Sequence, residues 1–309
     1  MPQKVYYGGQ AVMEGVMMRG RKTLVTAVRN PRGEIVTDTR QLSSLYSGWA
    51  RRTPFIRGVI VMIESLVLGI KSLFYSANVS LEEEGEKVSS GMIWVIMIIA
   101  LSLVVVVFYI VPLLLTRLLN IESSLLFNLV DGFIRIAIFV IYLWVMGFMR
   151  DIRLSFAYHG AEHKTINTYE SGDPLEVESV RRHSTAHVRC GTSFLFVVLI
   201  IAVLVFTIFG IRNVWLMVLS RIVLIPVIAA ISYEIIYFAG RHSNNIIARI
   251  ISKPGLWLQS LTTRQPTDKQ IEVALAALKS VIAADREDEP APVSLSDTPP
   301  SGAESHLPS

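Results

Sequence analysis

MIWVIMIIALSLVVVVFYIVPLLL, residues 92–115, is a run of 24 residues without a charged side chain. A helix of this length crosses a hydrocarbon core of about 30 Å with some tilt. The whole chain of 309 residues has the same character, because 52% of it is hydrophobic and only 17% is charged. This balance is typical of a multi-pass membrane protein and argues against a soluble enzyme.

Four apolar segments predict transmembrane helices, the first two within residues 92–149 and the last two within 194–239. An earlier segment, residues 55–77, is apolar apart from Arg57, Glu64 and Lys71, which lie seven apart and form one narrow polar stripe on a helix. We predict that it is an amphipathic helix at the membrane interface. A full span is the alternative if Glu64 is paired inside the bundle.

Lys and Arg residues flank the four spans unevenly. Twelve precede the first span, six lie within residues 150–189 and seven follow the fourth span, whereas the two remaining loops hold one each. Because basic residues accumulate on the cytosolic side, we predict a cell-membrane protein in contact with the lipid bilayer, with both termini and the 150–193 segment in the cytosol. Cys190 is the only cysteine, which agrees with a reducing compartment.

The first 54 residues are too polar to span a membrane. Residues 23–29 and 34–41 read as two short strands around a turn at 30–33, so we predict a small β-rich cytosolic cap over residues 1–54. In the preceding GGQAVMEGVMMRG, residues 8–20, four glycines around Glu14 and Arg19 predict a backbone that turns tightly or approaches another group closely. A loop that packs under the hairpin is the alternative. The fold class is therefore an all-α membrane protein with four transmembrane helices, an interfacial helix and this cap.

The C-terminal part divides into two pieces. We assign residues 240–284 to a cytosolic segment, in which Thr267 and Gln270 form a capping box before an amphipathic helix. The apolar residues of that helix, from Ile271 to Ile282, recur at helical spacing. Residues 285–309 are rich in Pro, Ser and acidic residues, and we predict that this tail is disordered.

YHGAEHKTINTYE, residues 158–170, combines two histidines with two carboxylates, Glu162 and Glu170. His159 and His163 are four apart and share one face of a helix. The order H-x-x-E-H is that of the inverted zincins, in which two imidazoles hold zinc and a glutamate activates its water. Gly160 lowers the helix propensity of this stretch.

The 150–193 segment, which we interpret as a cytosolic histidine-rich loop, holds four of the six histidines. We predict that His159, His163 and His187 bind a divalent metal, with zinc as first choice, and that Glu162 is the base. A hydrogen-bonded or pH-sensitive polar loop is the alternative. His183 follows two arginines, which repel a cation, and we predict that it is exposed.

Two more candidates have open interpretations. Cys190 is either a thiolate ligand or nucleophile, or a small buried residue at the entrance of a helix. Glu234 is either a further ligand or a carboxylate at the interface, paired with Arg241 or Lys253.

Several blocks resemble the YqhQ-like family, bacterial multi-pass proteins of the inner membrane whose function is unknown and for which a metal-dependent activity has been predicted. The resemblance covers about residues 4–283 and rests on YYGGQAVMEGVMMRG, YHGAEHKTINTYE, HVRCGTSF, SYEIIYFAG and PGLWLQSLTTRQPTDKQIEVALAAL. It implies that the site includes Glu14, Arg19, His159, Glu162, His163, His187, Arg189 and Cys190. Val188 departs from the usual proline of the family, and Asn167 and Thr168 depart from its usual His and Cys.

Two hypotheses from different classes follow. In the first, the protein is a hydrolytic metalloenzyme at the membrane surface, and Arg189 or Arg19 binds an anionic group or the developing oxyanion. Lipids, lipid-linked precursors and membrane peptides are then the natural substrates. In the second, it is a non-enzymatic scaffold or assembly factor that binds a partner through its loop, its cap and the two amphipathic helices. We expect no nucleic-acid partner.

Overall fold

The apolar segments fold as long helices, and the polar N-terminal part folds as a sheet. The computed structural model describes residues 6–43, 48–51, 53–81, 90–209, 214–242 and 245–287. The strands are β1 (Gly8–Val12), β2 (Gly15–Arg19), β3 (Thr23–Arg29) and β4 (Ile35–Gln41). The helices are α1 (Ile56–Ser80), α2 (Ser90–Val105), α3 (Val111–Leu118), α4 (Ser124–Met146), α5 (Arg150–Ser171), α6 (Val177–Arg182), α7 (Gly191–Phe209), α8 (Val214–Arg241), α9 (Ile246–Thr262) and α10 (Asp268–Glu287).

Five helical stretches among the described residues are long and apolar enough to cross a membrane. They are Ile56–Ser80, Trp94–Leu118, Ser124–Met146, Gly191–Phe209 and Val223–Arg241. The second stretch is continuous from α2 to α3 through a π-helical turn at Val106–Ile110. The four predicted spans are all among the five, and α1, predicted to be interfacial, meets the same criterion of length and composition. The chain is therefore compatible with a multi-pass membrane protein.

Helix α1 has a polar buried face and an apolar exposed face. Glu64, Ser72 and Ser76 are buried, whereas Leu66 is 63% exposed and Leu73 is 47% exposed. The hydroxyl of Ser72 accepts a hydrogen bond from Thr26 of β3 at 3.0 Å. Glu64 of the predicted polar stripe is therefore buried, whereas Lys71 of the same stripe is exposed.

The N-terminal sheet is antiparallel, with the order β1-β2-β3-β4. The two predicted strands correspond to β3 and β4. Residues 8–20 form β1 and β2 around a tight turn at Glu14, whose φ is 50°. The tight turn was predicted, whereas the alternative of a loop under the hairpin was wrong. Neighbouring residues of β2 are buried on opposite faces of the sheet. The apolar run in β2 therefore hides the alternation that usually identifies a strand.

Helices cover both faces of the sheet. On one face, Val12, Met17, Leu24 and Val28 pack with Val79 of α1. On the other face, residues of β2 and β3 form a second cluster with α5 and α10. The members of that cluster include Val16, Met18, Val25, Ala27, Tyr158, Ala161, Ala274 and Leu278.

Helix α10 begins as predicted and belongs to the core of the sheet. The amide N–H of Thr267 donates to Oε1 of Gln270 at 2.8 Å, which is one of the two hydrogen bonds of the predicted capping box. Its C-terminal turn also packs, because Asp285 accepts hydrogen bonds from the amide of Arg21 at 2.7 Å and from the hydroxyl of Thr23 at 2.9 Å. Residues 285–287 are therefore helical, in contrast to the predicted tail, and the rest of that tail, 288–309, lies outside the described residues.

Candidate functional site

The 150–193 segment, which connects the second and third predicted spans, is mostly helical. It contains α5 and α6, and an extended stretch from His183 leads into α7. Helix α5 continues through Gly160. A Cβ at this position would lie 2.1 Å from the carbonyl oxygen of Arg264. Glycine is therefore needed where the connection between α9 and α10 crosses the histidine helix.

His159 and His163 lie on one face of α5, as the spacing predicts, with ring centroids 4.3 Å apart. Nδ1 of His159 lies 2.9 Å from the carbonyl oxygen of Thr262, and Nδ1 of His163 lies 2.6 Å from that of Thr185. A carbonyl oxygen only accepts, so both Nδ1 atoms carry the proton and both Nε2 atoms keep their lone pair. Such carbonyl contacts orient imidazoles in metal sites.

Cys190 joins the two histidines. Its Sγ lies 3.2 Å from Nε2 of His159, and one ligand atom each from His159, His163 and Cys190 lie within 4.8 Å of one another. Cys190 is buried directly before α7, where the amide N–H of Thr192 donates to Sγ at 3.4 Å. Two nitrogen donors and one sulfur donor therefore converge at the start of an apolar helix.

Glu162 lies beside this cluster and is 4% exposed. One carboxylate oxygen is 3.5 Å from Nε2 of His163, and the amide N–H of Gly9 in β1 donates to the carboxylate. Burial raises the pKa of Glu162 above its ordinary value, while nearby imidazoles and the Gly9 amide oppose this rise. A Cβ at position 9 would lie 2.7 Å from Cγ of Glu162, so β1 approaches the carboxylate closely through a glycine.

His187 lies next to the cluster of three. Its ring centroid is 5.7 Å from that of His163. The backbone N–H of His187 donates to Oε1 of Gln259 at 2.9 Å, and Nε2 of Gln259 donates to the backbone C=O of His187 at 2.8 Å. Burial lowers the pKa of His187. Its Nε2 is 3.5 Å from a Glu170 oxygen but has no hydrogen-bond partner among the described residues. The three ligand atoms that lie within 4.8 Å of one another belong to His159, His163 and Cys190, whereas the predicted third ligand was His187.

The stretch before His187 is held by polar side chains of α5. Lys164 donates to the carbonyl of Arg181 at 2.8 Å and to that of His183 at 2.7 Å, and Asn167 donates to the carbonyl of Ser184 at 2.9 Å. Burial lowers the pKa of Lys164. His183 itself is half-buried rather than exposed, because it pairs with Asp173.

Arg189 and Glu170 form an ion pair at the edge of the site. The guanidinium of Arg189 also lies over the ring of Tyr6, with 4.4 Å from Cζ to the ring centroid. Burial lowers the pKa of Arg189. This arginine is therefore near His187, but its guanidinium is already engaged by a carboxylate and an aromatic ring.

Three predicted site residues lie elsewhere. Arg19 is on the face of the sheet that packs against α1 and bonds to Glu64 at 2.8 Å. Glu14 accepts a hydrogen bond from the hydroxyl of Tyr158 at 3.2 Å. Glu234 accepts hydrogen bonds from Arg57 and the amide of Phe55, so it is paired, although with neither Arg241 nor Lys253.

Gln259 and Thr262 were missed by sequence reasoning, although each holds a residue of the site. Both are buried on the inner side of α9. They are three apart and therefore share a face of that helix. Polar residues at this spacing, next to Leu258 and Leu261, are a weak signal, because Ser260 between them is polar and exposed.

The geometry defines a class: a mostly helical, membrane-compatible protein with an N-terminal sheet and a buried histidine–cysteine cluster beside a carboxylate. The family model described as "Protein of unknown function (DUF1385)" matches residues 53–284. The chain is 33% identical over 299 residues to the "Uncharacterized protein YqhQ" of Bacillus subtilis (strain 168), covering 89% of this chain and 92% of that protein. The chain belongs to this YqhQ-like family of unknown function, as the sequence predicts. No solved structure matches it.

Proposed function

We propose that the protein is a metal-dependent hydrolase of the cell membrane, with a divalent metal held by His159, His163 and Cys190. The observation that carries this proposal is the convergence of their three ligand atoms within 4.8 Å. Imidazole nitrogen and thiolate sulfur together favour zinc. Three protein ligands also leave one position open, as in catalytic zinc sites.

The protonation pattern of the cluster supports this assignment. Both imidazoles direct an unprotonated Nε2 into the cluster, because their Nδ1 atoms donate to carbonyls. A thiol has one proton, so Cys190 can donate to one of these nitrogens at a time. A bound cation would instead accept an electron pair from both nitrogens and from the sulfur at the same time. The buried Nε2 of His187, which has no hydrogen-bond partner among the described residues, offers a fourth donor nearby.

A metal bound here would supply Lewis acidity and lower the pKa of a water molecule. Glu162 is the general base in this proposal. In the metal-free protein, burial raises the pKa of its carboxyl group. Beside a bound metal, whose charge favours the ionised form, the carboxylate would accept a proton from water and deliver it to the leaving group. In the overall hydrolysis, the water oxygen bonds to the electrophilic atom of the substrate, the bond to the leaving group breaks, and the leaving group gains the proton. Gly9 orients the carboxylate through its amide.

The site lies at the ends of apolar helices, which supports a substrate at the membrane surface. Helix α4 ends at Met146 and α5 begins at Arg150, while Cys190 directly precedes α7. With the predicted orientation, this surface is the cytosolic one. Membrane peptides, lipids and lipid-linked precursors are the substrates that fit this position.

Metal content tests the proposal. Protein purified in detergent without chelators is compared by mass spectrometry with the His159→Ala, His163→Ala double variant. We expect near one zinc, iron or manganese per chain in wild type and loss of the metal in the double variant. The matched control is His183→Ala, which removes a histidine paired with Asp173 and should keep the metal. Absence of metal from well-folded wild-type protein would overturn the proposal.

Two further variants separate ligand from base. Cys190→Ser should lower the metal content at least tenfold, whereas Glu162→Gln should keep the metal and abolish turnover. His187→Ala distinguishes the two ligand sets, because a comparable loss of metal in this variant would restore His187 as a ligand. Loss of metal in Glu162→Gln would make this residue a ligand and not the base.

The scaffold hypothesis loses one of its surfaces. The apolar side of α10, including Ile271 and Leu278, is buried against the sheet and is not available to a partner. The apolar side of α1 stays exposed and suits lipid. Recovery of a stable partner by crosslinking, with cellular function intact in Glu162→Gln, would favour the scaffold.

A further inference from the structure

Strand β1 is at the edge of the sheet, and the hydrogen bonds of its neighbours show which of its groups face outward. The amide of Gly20 donates to the carbonyl of Thr23 at 2.8 Å, and the amide of Arg29 donates to that of Glu14 at 2.9 Å. Antiparallel pairs alternate between bonded and non-bonded residues. Even-numbered residues of β2 therefore bond to β3, and its odd-numbered residues bond to β1.

The register transfers this alternation to β1. Gly15, Met17 and Arg19 are opposite Val12, Gln10 and Gly8, which consequently direct their backbone groups into the sheet. Gly9 and Ala11 direct theirs away from it. The bond from the Gly9 amide to Glu162 agrees with this direction. No backbone–backbone hydrogen bond within the described ranges reaches this open edge, and both residues are only half-buried.

We propose that the open edge of β1, at Gly9 and Ala11, binds an extended peptide as an additional strand. This inference rests on the proposed hydrolase function and names its substrate class. The N–H and C=O of Ala11 are the pair that would hold a guest backbone, as in other cases of strand addition. About 7 Å further along, at Gly9, the outward N–H is occupied by Glu162, so the guest meets this carboxylate there.

This arrangement aligns a peptide bond with the candidate base. Hydrolysis would form a bond between the water oxygen and the carbonyl carbon, break the C–N bond and leave an amine that gains its proton through Glu162. Water is the only co-reactant, and nothing is oxidised or reduced. A lipid ester offers no repeating N–H and C=O groups for the edge of a strand, so the geometry favours a peptide.

The opposite edge of the sheet provides an internal control. The amide of Leu42 donates to the carbonyl of Lys22 at 2.7 Å, and the amide of Asn30 donates to that of Glu34 at 2.9 Å. By the same alternation, Thr37 and Thr39 of β4 direct their backbone groups outward. Both residues are exposed, and two strands separate β4 from β1.

The experiment removes one outward amide from either edge. Wild type, Ala11→Pro, Thr39→Pro and Glu162→Gln are purified full-length in detergent and incubated with peptides from a bacterial cytosolic extract digested with an endoproteinase. New peptide termini are counted by mass spectrometry. We expect wild type and Thr39→Pro to produce them, Ala11→Pro to lose at least tenfold at unchanged metal content, and Glu162→Gln to produce none.

Each outcome has a separate meaning. Equal cleavage by Ala11→Pro and Thr39→Pro would overturn the edge proposal while leaving the hydrolase proposal intact. Hydrolysis of phospholipid vesicles without cleavage of any peptide would do the same. Absence of metal and of all hydrolysis would instead overturn the proposed function.

Hydrogen–deuterium exchange tests the edge without a proline variant. In Glu162→Gln, the same peptide mixture should slow exchange in the segment that contains β1 at least threefold and leave β4 unchanged. This readout needs no turnover, so it also covers the case in which Ala11→Pro fails to fold. Unchanged exchange in β1 at a saturating peptide concentration would overturn the inference.

Discussion

Glu64 and Glu162 are buried carboxylates on opposite faces of the same sheet, and their surroundings differ. Glu64 is 2% exposed and bonds to two guanidinium groups, those of Arg19 and Arg51. Glu162 is 4% exposed, and no Arg or Lys in the described part of the chain pairs with it. It faces imidazoles and one backbone amide. The first carboxylate is a fixed charge that joins elements, whereas the second can change its protonation state.

The largest effect is expected for Glu64→Gln. This change leaves two largely buried guanidiniums without their shared carboxylate, and the loss of one partner of a buried ion pair costs about 3–5 kcal/mol. The pKa of Arg51 is already lowered to about 10 by burial and by the charge of Arg19. Unfolding in increasing concentrations of denaturing detergent measures the free energy. The control, Glu178→Gln, removes an exposed partner of Arg181 and should cause no measurable change.

An intermediate effect is expected for a glycine on α5 and a smaller one for its counterpart on α1. In Gly160→Ala, the new Cβ meets a backbone oxygen of Arg264 at 2.1 Å, and we expect a loss of about 1–3 kcal/mol together with a lower metal content. In Gly69→Ala, it meets the end of the Gln10 side chain, which can move away. The higher helix propensity of alanine, about 1 kcal/mol, should then offset the cost of displacing the Gln10 side chain. Equal thermal stability of both variants would contradict this difference.

A small and pH-dependent effect on stability is expected for Glu162→Gln in chelator-treated protein. A carboxyl group whose pKa is raised in the folded state contributes stability below its unfolded pKa, and this contribution is lost as pH rises through the folded pKa. As pH rises above the ordinary pKa of a glutamate, wild type should therefore lose stability relative to the Gln variant, which keeps the same buried histidines. The change at neutral pH should be below about 1 kcal/mol, because Gln can still accept the bond from Gly9. A loss as large as that of Glu64→Gln would show that Glu162 is a structural charge.

Features that depend on local spacing could be predicted from the sequence. The common face of His159 and His163 follows from helix geometry, and the start of α10 follows from Thr267 and Gln270. Strand β2 was missed because both of its faces are buried, and β1 was missed because glycine has a low strand propensity. The proximity of Arg19 to Glu162 was also overestimated, since residue parity in β2 places its side chain on the other face.

Contacts between distant segments could not be predicted in this way. Cys190 reaches His159 across 31 residues, along a path set by the side chains of α5 that hold the stretch after α6. Glu234 pairs with Arg57, which is 177 residues away, because α1 and α8 pack closely at Gly58. The spacing of residues within a single helix does not predict contacts between residues so far apart in the sequence.

The packing of α10 has a consequence for biosynthesis. The strands at the beginning of the chain share their core with residues such as Ala274 and Leu278, and the turn at Arg21 is bonded to Asp285. Chains grow from the N-terminus, so the first strands leave the ribosome long before their partner helix. All the apolar helices are therefore synthesised before this core can close. Premature termination would leave the sheet with a bare apolar face, which quality-control proteases can recognise.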